Sequence, residues 1–544
     1  MRIDVKSLGL WRLMMLLVVI SVTSVLVLAQ ESTEPEFRAY TRANGQPVQT
    51  KLAIIERDGD SFEMKREDNG EVVTVFLKQF SAQDQAWLRR IKTGRNPVVP
   101  TETDRPSSNS RPAMRNRPAS AESTGRLSAT LRSSRPSDSA NWPCFRGPGR
   151  AGIAANANVP LTWNAETNIQ WKYDLPGPGS SSPVVWGNRL FVTCYSGYGL
   201  SKESPGEMTE LIRHLICVDA VTGRKLWQKD LPSTNPVMPY KRWLPYHGYA
   251  SATPVVSRDA VFVSFGTSGL FAFSHEGRQL WHYETGKRKS GYGSAASPVL
   301  YEGMVILAAR PEAAAIVAVD QQSGRERWKT TIRETVDAQS TPLIVSTDRG
   351  AELVYHHSKG NQGGLVAAMD PSNGSPRWTC AGIDDYLCPS PFVADGRLIL
   401  VTSGRTLAVR PGGNGDVTNS HLDWNVNVGD EVSTPVYHDG HLYLFKSNGG
   451  GIAASISVAD GKIVHRERME PKPGRIYASP VIAGNRIYLV SQENGTYVME
   501  ATPECLLIAH NTIEDDDSIF SGTPAIVGRR IFLRSNRRLY CVGH

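Results

Sequence analysis

The stretch Ala318–Trp328, AVDQQSGRERW, decides the fold of this chain. An apolar run stops at Asp320, a Ser323-Gly324 turn follows, and Trp328 ends the stretch. Asp at the start of a turn accepts hydrogen bonds from the backbone just ahead of it, and Gly supplies a position with positive φ. The Trp is a large flat side chain suited to covering a neighbouring sheet. The same plan recurs as CVDAVTGRKLW to Trp227, FSHEGRQLW to Trp281 and AMDPSNGSPRW to Trp378. A fifth copy reaches Trp424 through a longer turn, a sixth places His465 at the Trp position, and a seventh has degenerated.

A second signal runs ahead of each copy. Ser/Thr-Pro pairs stand at Ser182-Pro183, Thr253-Pro254, Ser297-Pro298, Thr341-Pro342, Ser390-Pro391, Thr434-Pro435, Ser479-Pro480 and Thr523-Pro524, with spacings of 71, 44, 44, 49, 44, 45 and 44 residues. A fixed period of this length marks a repeat architecture in which each unit is one supersecondary block. After each Pro come a short strand, a turn and a second strand, as in PVVWGNRLFVT and PVIAGNRIYLV. Pro at the start of a strand is tolerated because that position can lack an N–H donor. The period predicts an all-β, eight-bladed β-propeller of four-stranded blades over 141–544. The eighth copy ends at RRLYCVGH without a Trp strand, and NIQWKYDLP, carrying Trp171, precedes the first copy. The two termini are therefore expected to share one blade and close the ring, leaving no free sheet edge. Trp171, Trp227, Trp281, Trp328, Trp378 and Trp424 are the expected docking side chains between blades.

With Ala318, Asp320, Ser323, Gly324, Arg325, Glu326 and Trp328 in place, this repeat resembles the tryptophan-docking repeat of the pyrroloquinoline-quinone (PQQ) dehydrogenases and of the BamB-like propellers. The opening NWPCFRGPGRAGIA and the run through NIQWKYDLPGPGSSSPVVWGNRLFVT resemble exported PQQ-like repeat proteins of planctomycete-type bacteria. The resemblance covers about 400 residues. It is specific for fold and not for cofactor.

Upstream, Arg2, Lys6 and Arg12 precede an uncharged run from Leu13 to Gln30 that ends Val27-Leu28-Ala29. A basic start, an apolar stretch and a small residue at the cut predict a secretory signal peptide over 1–29, or an uncleaved anchor, and thus a location in the periplasm or cell envelope. Residues 36–92 alternate apolar and polar residues between Asn-Gly and Asp-Gly turns, with Ser81 as the expected N-cap of a short helix. FRAYTRANGQPVQTKLAIIERDGDSFEMKREDNGEVVTVFLKQFSAQDQAWL resembles the SLA1 homology 1 domain, an SH3-like interaction module. Residues 93–140 hold eight Arg, no Lys and four acids among Pro, Ser and Asn, a composition expected of a disordered linker. The net charge of +7 sits mostly there and in the leader, which argues against a nucleic-acid partner.

Seven cysteines, none adjacent and none in zinc or haem spacing, argue against structural zinc and covalent haem; Cys380 and Cys388 are the nearest candidate disulfide pair. No nucleophile–base motif, phosphate loop or HExxH is present. Two insertions, Tyr195–His214 and Ser233–Tyr249, enlarge the first blade. The second concentrates Tyr240, Arg242, Trp243, Tyr246, His247 and Tyr249, residue types typical of contact hot spots. Residues just before each Ser/Thr-Pro strand should ring the channel mouth: Tyr292, Asp337, Asp385, Tyr386, Glu431, Arg475, Tyr477 and Asp517 join His247 and Tyr249 there. The sequence lacks the vicinal disulfide that marks the quinoprotein dehydrogenases and the long inserts that build their pocket. The expectation is therefore a non-catalytic, monomeric scaffold without cofactor or metal, binding cell-envelope proteins or an extracellular ligand. The alternative is a PQQ- and Ca²⁺-dependent dehydrogenase oxidising an alcohol or sugar.

Overall fold

The computed structural model describes residues 39, 52–58, 61–68, 72–81, 84–85 and 141–544, the last without 234, 236, 333–338, 359–362, 384–387 and 449. The chain divides into two compact units, Met1–Ser123 and Thr124–His544. In the first, Leu52–Asp58, Ser61–Arg66 and Val72–Phe76 form an antiparallel three-stranded sheet in chain order. Met64 and Phe80 are buried there, and the Asp84 N–H donates to Ser81 Oγ at 3.2 Å, the N-cap bond of the turn that follows.

The second unit is an eight-bladed propeller. Blade 1 runs from Val184–Trp186 outward through Arg189–Ser196 and Ile212–Asp219 to Lys225–Pro232. Blades 2 to 7 repeat that antiparallel order in sequence. Blade 8 is built from both ends of the unit: Ala525–Val527, Arg530–Arg534 and Arg538–Gly543 are completed outside by Ile169–Asp174. Trp171 pairs there with Cys541, so closure uses the strand that the sequence leaves over at its start.

The register explains the Trp positions. In every blade the third and fourth strands pair with a one-residue irregularity immediately before the Trp position, as between Ala318 and Val319 opposite Trp328 and Glu326. A β-bulge at that point increases the local twist and re-aims a side chain. The Trp side chains then lie on the turn of the next blade. Trp171 Nε1 donates to the Ala220 carbonyl at 3.3 Å, Trp227 to His275 at 2.8 Å, Trp281 to Gln321 at 3.0 Å, Trp328 to Pro371 at 3.0 Å and Trp424 to Val458 at 2.8 Å. Each ring faces a turn glycine: a Cβ on Gly223 would lie 2.5 Å from Trp171, and one on Gly374 2.6 Å from Trp328. Trp378 differs. Blade 5 has no such turn, and Trp378 Nε1 donates instead to Glu352 of its own blade at 3.0 Å. The bulge persists where the Trp is gone, with His465 opposite Ser455 in blade 6 and Ala509 opposite Val498 in blade 7.

The core lies between blades. One cluster joins Val490 and Val498 of blade 7, Phe532 and Tyr540 of blade 8 and Leu190 and Ile216 of blade 1. The cysteines are all free thiols; Cys380 is buried and Cys388 exposed, so the candidate pair is not a disulfide. Among the described residues, no helix is long and apolar enough to cross a membrane.

Candidate functional site

The eight Ser/Thr-Pro hydroxyls form a closed ring around the axis. Ser182 N–H donates to Thr253 Oγ1 at 2.9 Å, Thr253 to Ser297 at 3.0 Å, Ser297 to Thr341 at 3.0 Å and Thr341 to Ser390 at 3.0 Å. Ser390 continues to Thr434 at 2.9 Å, Thr434 to Ser479 at 3.1 Å, Ser479 to Thr523 at 2.9 Å and Thr523 back to Ser182 at 3.1 Å. A short hydroxyl next to a Pro is needed at each place. The side chain accepts from the N–H of the preceding blade, while the Pro carries no N–H that would be left unpaired.

One end of the channel is filled by 141–154. Asn141–Trp142 adds to the inner edge of blade 1 and Ile153–Ala154 to that of blade 7, so the chain between them crosses the axis. Arg146, 1% exposed, donates to the carbonyls of Thr434 at 2.7 Å and Pro435 at 2.6 Å, and Arg150 to that of Pro298 at 3.1 Å. Loss of hydration lowers both guanidinium pKa values, that of Arg146 to about 9.

The other end is the funnel mouth, and the Ser233–Tyr249 insertion reaches over it through Trp243 and Tyr246. Trp243 stacks on Tyr292, with ring centroids 6.1 Å apart and planes 10° apart, and meets Tyr246 at 5.9 Å. Tyr246 reaches Tyr477 at 6.4 Å, and the Arg475 guanidinium sits 4.7 Å above the Tyr246 ring. Tyr292 precedes blade 3 and Tyr477 precedes blade 7, so this aromatic line bridges loops that are not neighbours in the ring. His247 anchors the insertion through Nδ1 to Ser251 Oγ at 2.6 Å. Burial pushes its pKa down to about 4, partly offset by a hydrogen bond to the Tyr292 backbone, and it is neutral at pH 7. Tyr249 turns away from the axis: its hydroxyl donates to Met238 at 2.7 Å and its ring packs on Tyr195, Tyr198 and Tyr240. Arg242, half-buried, has a left-handed φ of 60° in the turn before Trp243.

The acidic positions separate into different roles. Glu431 is exposed and accepts from Asn448 Nδ2 at 3.0 Å. Its neighbour Asp430 is buried and consumed by hydrogen bonds from Val432, Ser433 and Ser447. Asp517 is no free mouth carboxylate: it pairs with Arg537. Asp337, Asp385 and Tyr386 lie outside the described residues. Desolvation raises the Tyr477 phenol to about 12, so it stays a donor at neutral pH.

The register also assembles a nucleophile–base arrangement that no local motif announces. Ser196 Oγ lies 2.8 Å from His214 Nε2, and His214 Nδ1 lies 2.6 Å from Asp230 Oδ1. Its accessibility is inverted relative to a serine hydrolase. The carboxylate side chain is 57% exposed and the imidazole 5%, so the hydrogen bonds serve to satisfy a buried His between three strands.

Residues 208–361 and 354–543 match the sequence profile of the family described as outer membrane protein assembly factor BamB. The chain belongs to this family. A curated relative, polyvinylalcohol dehydrogenase from a Pseudomonas species, is 24% identical over 289 residues, covering 45% of this chain and 40% of that protein. The chain thus matches less than half the length of that relative. One solved structure reaches a TM-score above 0.5 and shares the fold. Quinohemoprotein alcohol dehydrogenase from Comamonas testosteroni superposes with a TM-score of 0.51 at 13% identity, over 76% of this chain and 82% of that one. BamB from Moraxella catarrhalis gives 0.48 at 14% identity, over 69% and 96%.

These comparisons correct the expectation of a non-catalytic, cofactor-free scaffold, because the curated relative is a dehydrogenase. The expectation rested on a missing vicinal disulfide and on missing pocket-forming inserts. The insertion before blade 2 lies over the funnel and brings Trp243 and Tyr246 there with Tyr292.

The fit of a PQQ-type group can be tested on the same residues. The donor set suits a flat anionic ring system: aromatic faces from Trp243 and Tyr246 and a cation from Arg475. For a divalent cation, the exposed Glu431 carboxylate is the hard-oxygen group at hand, and among the described residues no cluster of three or more His, Cys, Asp or Glu converges.

Proposed function

We propose that the propeller is an oxidoreductase that oxidises an alcohol at a quinone held in the funnel mouth. The observation that carries this reading is the 289-residue match to polyvinylalcohol dehydrogenase. Trp243 and Tyr246 would hold the quinone by its faces and Arg475 would pair with its carboxylates. Bound there, the quinone supplies an acceptor for the two electrons and two protons released as the alcohol becomes a carbonyl. Glu431, whose Oε2 accepts from Asn448, would take the hydroxyl proton on Oε1. Arg146 and Arg150, with 141–154, close the far end of the channel to water. Export to the periplasm belongs to this proposal and is supported by the basic start and the apolar run 13–30. So does an interaction role for the N-terminal sheet, supported by its SLA1 homology 1-like sequence.

The test is calorimetric titration of the full chain with PQQ in Ca²⁺, followed by a dye-coupled alcohol oxidation assay. Binding with turnover supports the reading. Absence of both overturns it.

A further inference from the structure

A cavity lies above blade 2 and beside the Ser233–Tyr249 insertion, where its lining residues Leu244 and Gly293 adjoin Trp243 and Tyr292 of the aromatic line. Its open interior is about 40 Å³. Three cations line it, Arg213, Arg288 and Lys289, and no carboxylate does. Arg213 is 3% exposed, so its charge has been taken almost wholly out of water. Its Nε donates to the Tyr249 carbonyl at 3.2 Å, and Nη1 donates to Ser233 Oγ at 3.1 Å and Ser268 Oγ at 2.8 Å. Every one of these partners is neutral. A buried charge with neutral partners alone is costly, and burial lowers the Arg213 pKa only to about 10, so the charge persists at pH 7. Arg288 and Lys289 are exposed at the rim and form no ion pair among the described residues. Thr267, 9% exposed and also lining the cavity, has a buried Oγ1 with no hydrogen-bond partner among the described residues. The neighbouring buried carboxylate, Glu312, is outside the lining and accepts from Ser294. Ser251, Ser264, Ser290 and Ser294 add hydroxyls to the lining, and Val237, Leu244 and Phe265 form an apolar part of the wall.

We propose that this cavity binds a small organic anion, its carboxylate or phosphate held by Arg213, Arg288, Lys289 and Thr267 and its apolar part set against Val237, Leu244 and Phe265. Guanidinium groups match the planar geometry of carboxylate and phosphate, and a ligand there supplies both the missing counter-charge and the missing partner. The site stands independently of the oxidation chemistry.

The experiment is calorimetric titration of the full chain with benzoate and, separately, inorganic phosphate, in dilute chloride buffer, with thermal melting as a second readout. The expected result is one bound anion per chain and a rise in Tm. The double variant R288Q/K289Q, which changes only exposed side chains, should weaken binding at least ~10-fold through loss of two charge-assisted contacts. T267V, which removes no existing hydrogen bond, should weaken it by a smaller factor, and R213Q should abolish it. Binding of both probes identifies the anionic group as the determinant, and binding of benzoate alone adds the apolar wall to it. Absence of binding by either probe, or wild-type affinity in both R288Q/K289Q and T267V, overturns the proposal.

Discussion

The Thr523 N–H donates to Ser182 Oγ at 3.1 Å across 341 residues of chain, and with it the ring of eight hydroxyl contacts closes. All eight hydroxyl residues are buried, so each contact is a backbone donor that water cannot satisfy. S182A should leave the Thr523 N–H buried and unpaired and cost about 1–3 kcal/mol. S182T keeps the acceptor and should cost less. Thermal unfolding of the two variants side by side separates loss of the bond from a change of volume.

The Trp328–Gly374 contact gives a paired prediction in the opposite sense of size. A Cβ on Gly374 would lie 2.4 Å from Thr330 Oγ1 and 2.6 Å from the Trp328 ring, at a φ of 73°. G374A should therefore destabilise through both clash and backbone strain. W328A should cost about 3–5 kcal/mol, since it opens a cavity between blades 3 and 4 and orphans the Pro371 carbonyl. If the ring docks as described, combining the two changes should cost less than their sum in denaturant unfolding.

If the mouth oxidises an alcohol as proposed, Glu431 is the sensitive position. E431Q removes the base while keeping the shape, and should lower kcat by about 10²–10⁴-fold with PQQ affinity kept within a few-fold. W243A and Y246A should do the reverse and weaken cofactor binding. Equal effects of all three on binding would assign Glu431 a holding role instead.

Acid sensitivity follows from two imidazoles. Burial and the nearby Arg310 charge push His356 down to about 3, and burial pushes His247 down to about 4. In the unfolded chain both protonate near pH 6.5. Their folded pKa values are depressed, so their contribution to stability is fully present above about pH 6.5 and is lost as pH falls toward 3. Tm should drop between pH 7 and pH 4.5. H356L, which replaces a buried ring whose two nitrogens have no partner, should shrink that drop without lowering Tm at pH 7.

Period and punctuation carried most of the fold. Eight Ser/Thr-Pro pairs fix the number of blades, and the unpaired Trp171 strand fixes how the ring closes, because each depends on spacing along the chain. The docking of Trp328 was equally legible, since its Asp, Gly and Trp lie within one short stretch. Trp378 was not: its partner depends on what blade 5 puts in place of the usual turn, and Glu352 is chosen by packing. The funnel was legible as a set of loops and illegible as a site. Position before a Pro strand says that Glu431 and Asp517 reach the rim, but only the folded chain shows Asp517 spent on Arg537 and Glu431 on Asn448.

The sequence by itself determined the architecture, because a repeat reports the same local geometry eight times and each copy supports the others. Tertiary structure decided which side chains meet across strands and blades. Ser196, His214 and Asp230 meet because three strands align in one register, and Arg213 has no counter-charge among the described residues because blade 2 and the insertion fold over it. Such relationships depend on distances through space between side chains far apart in the chain, and no spacing along the sequence encodes them.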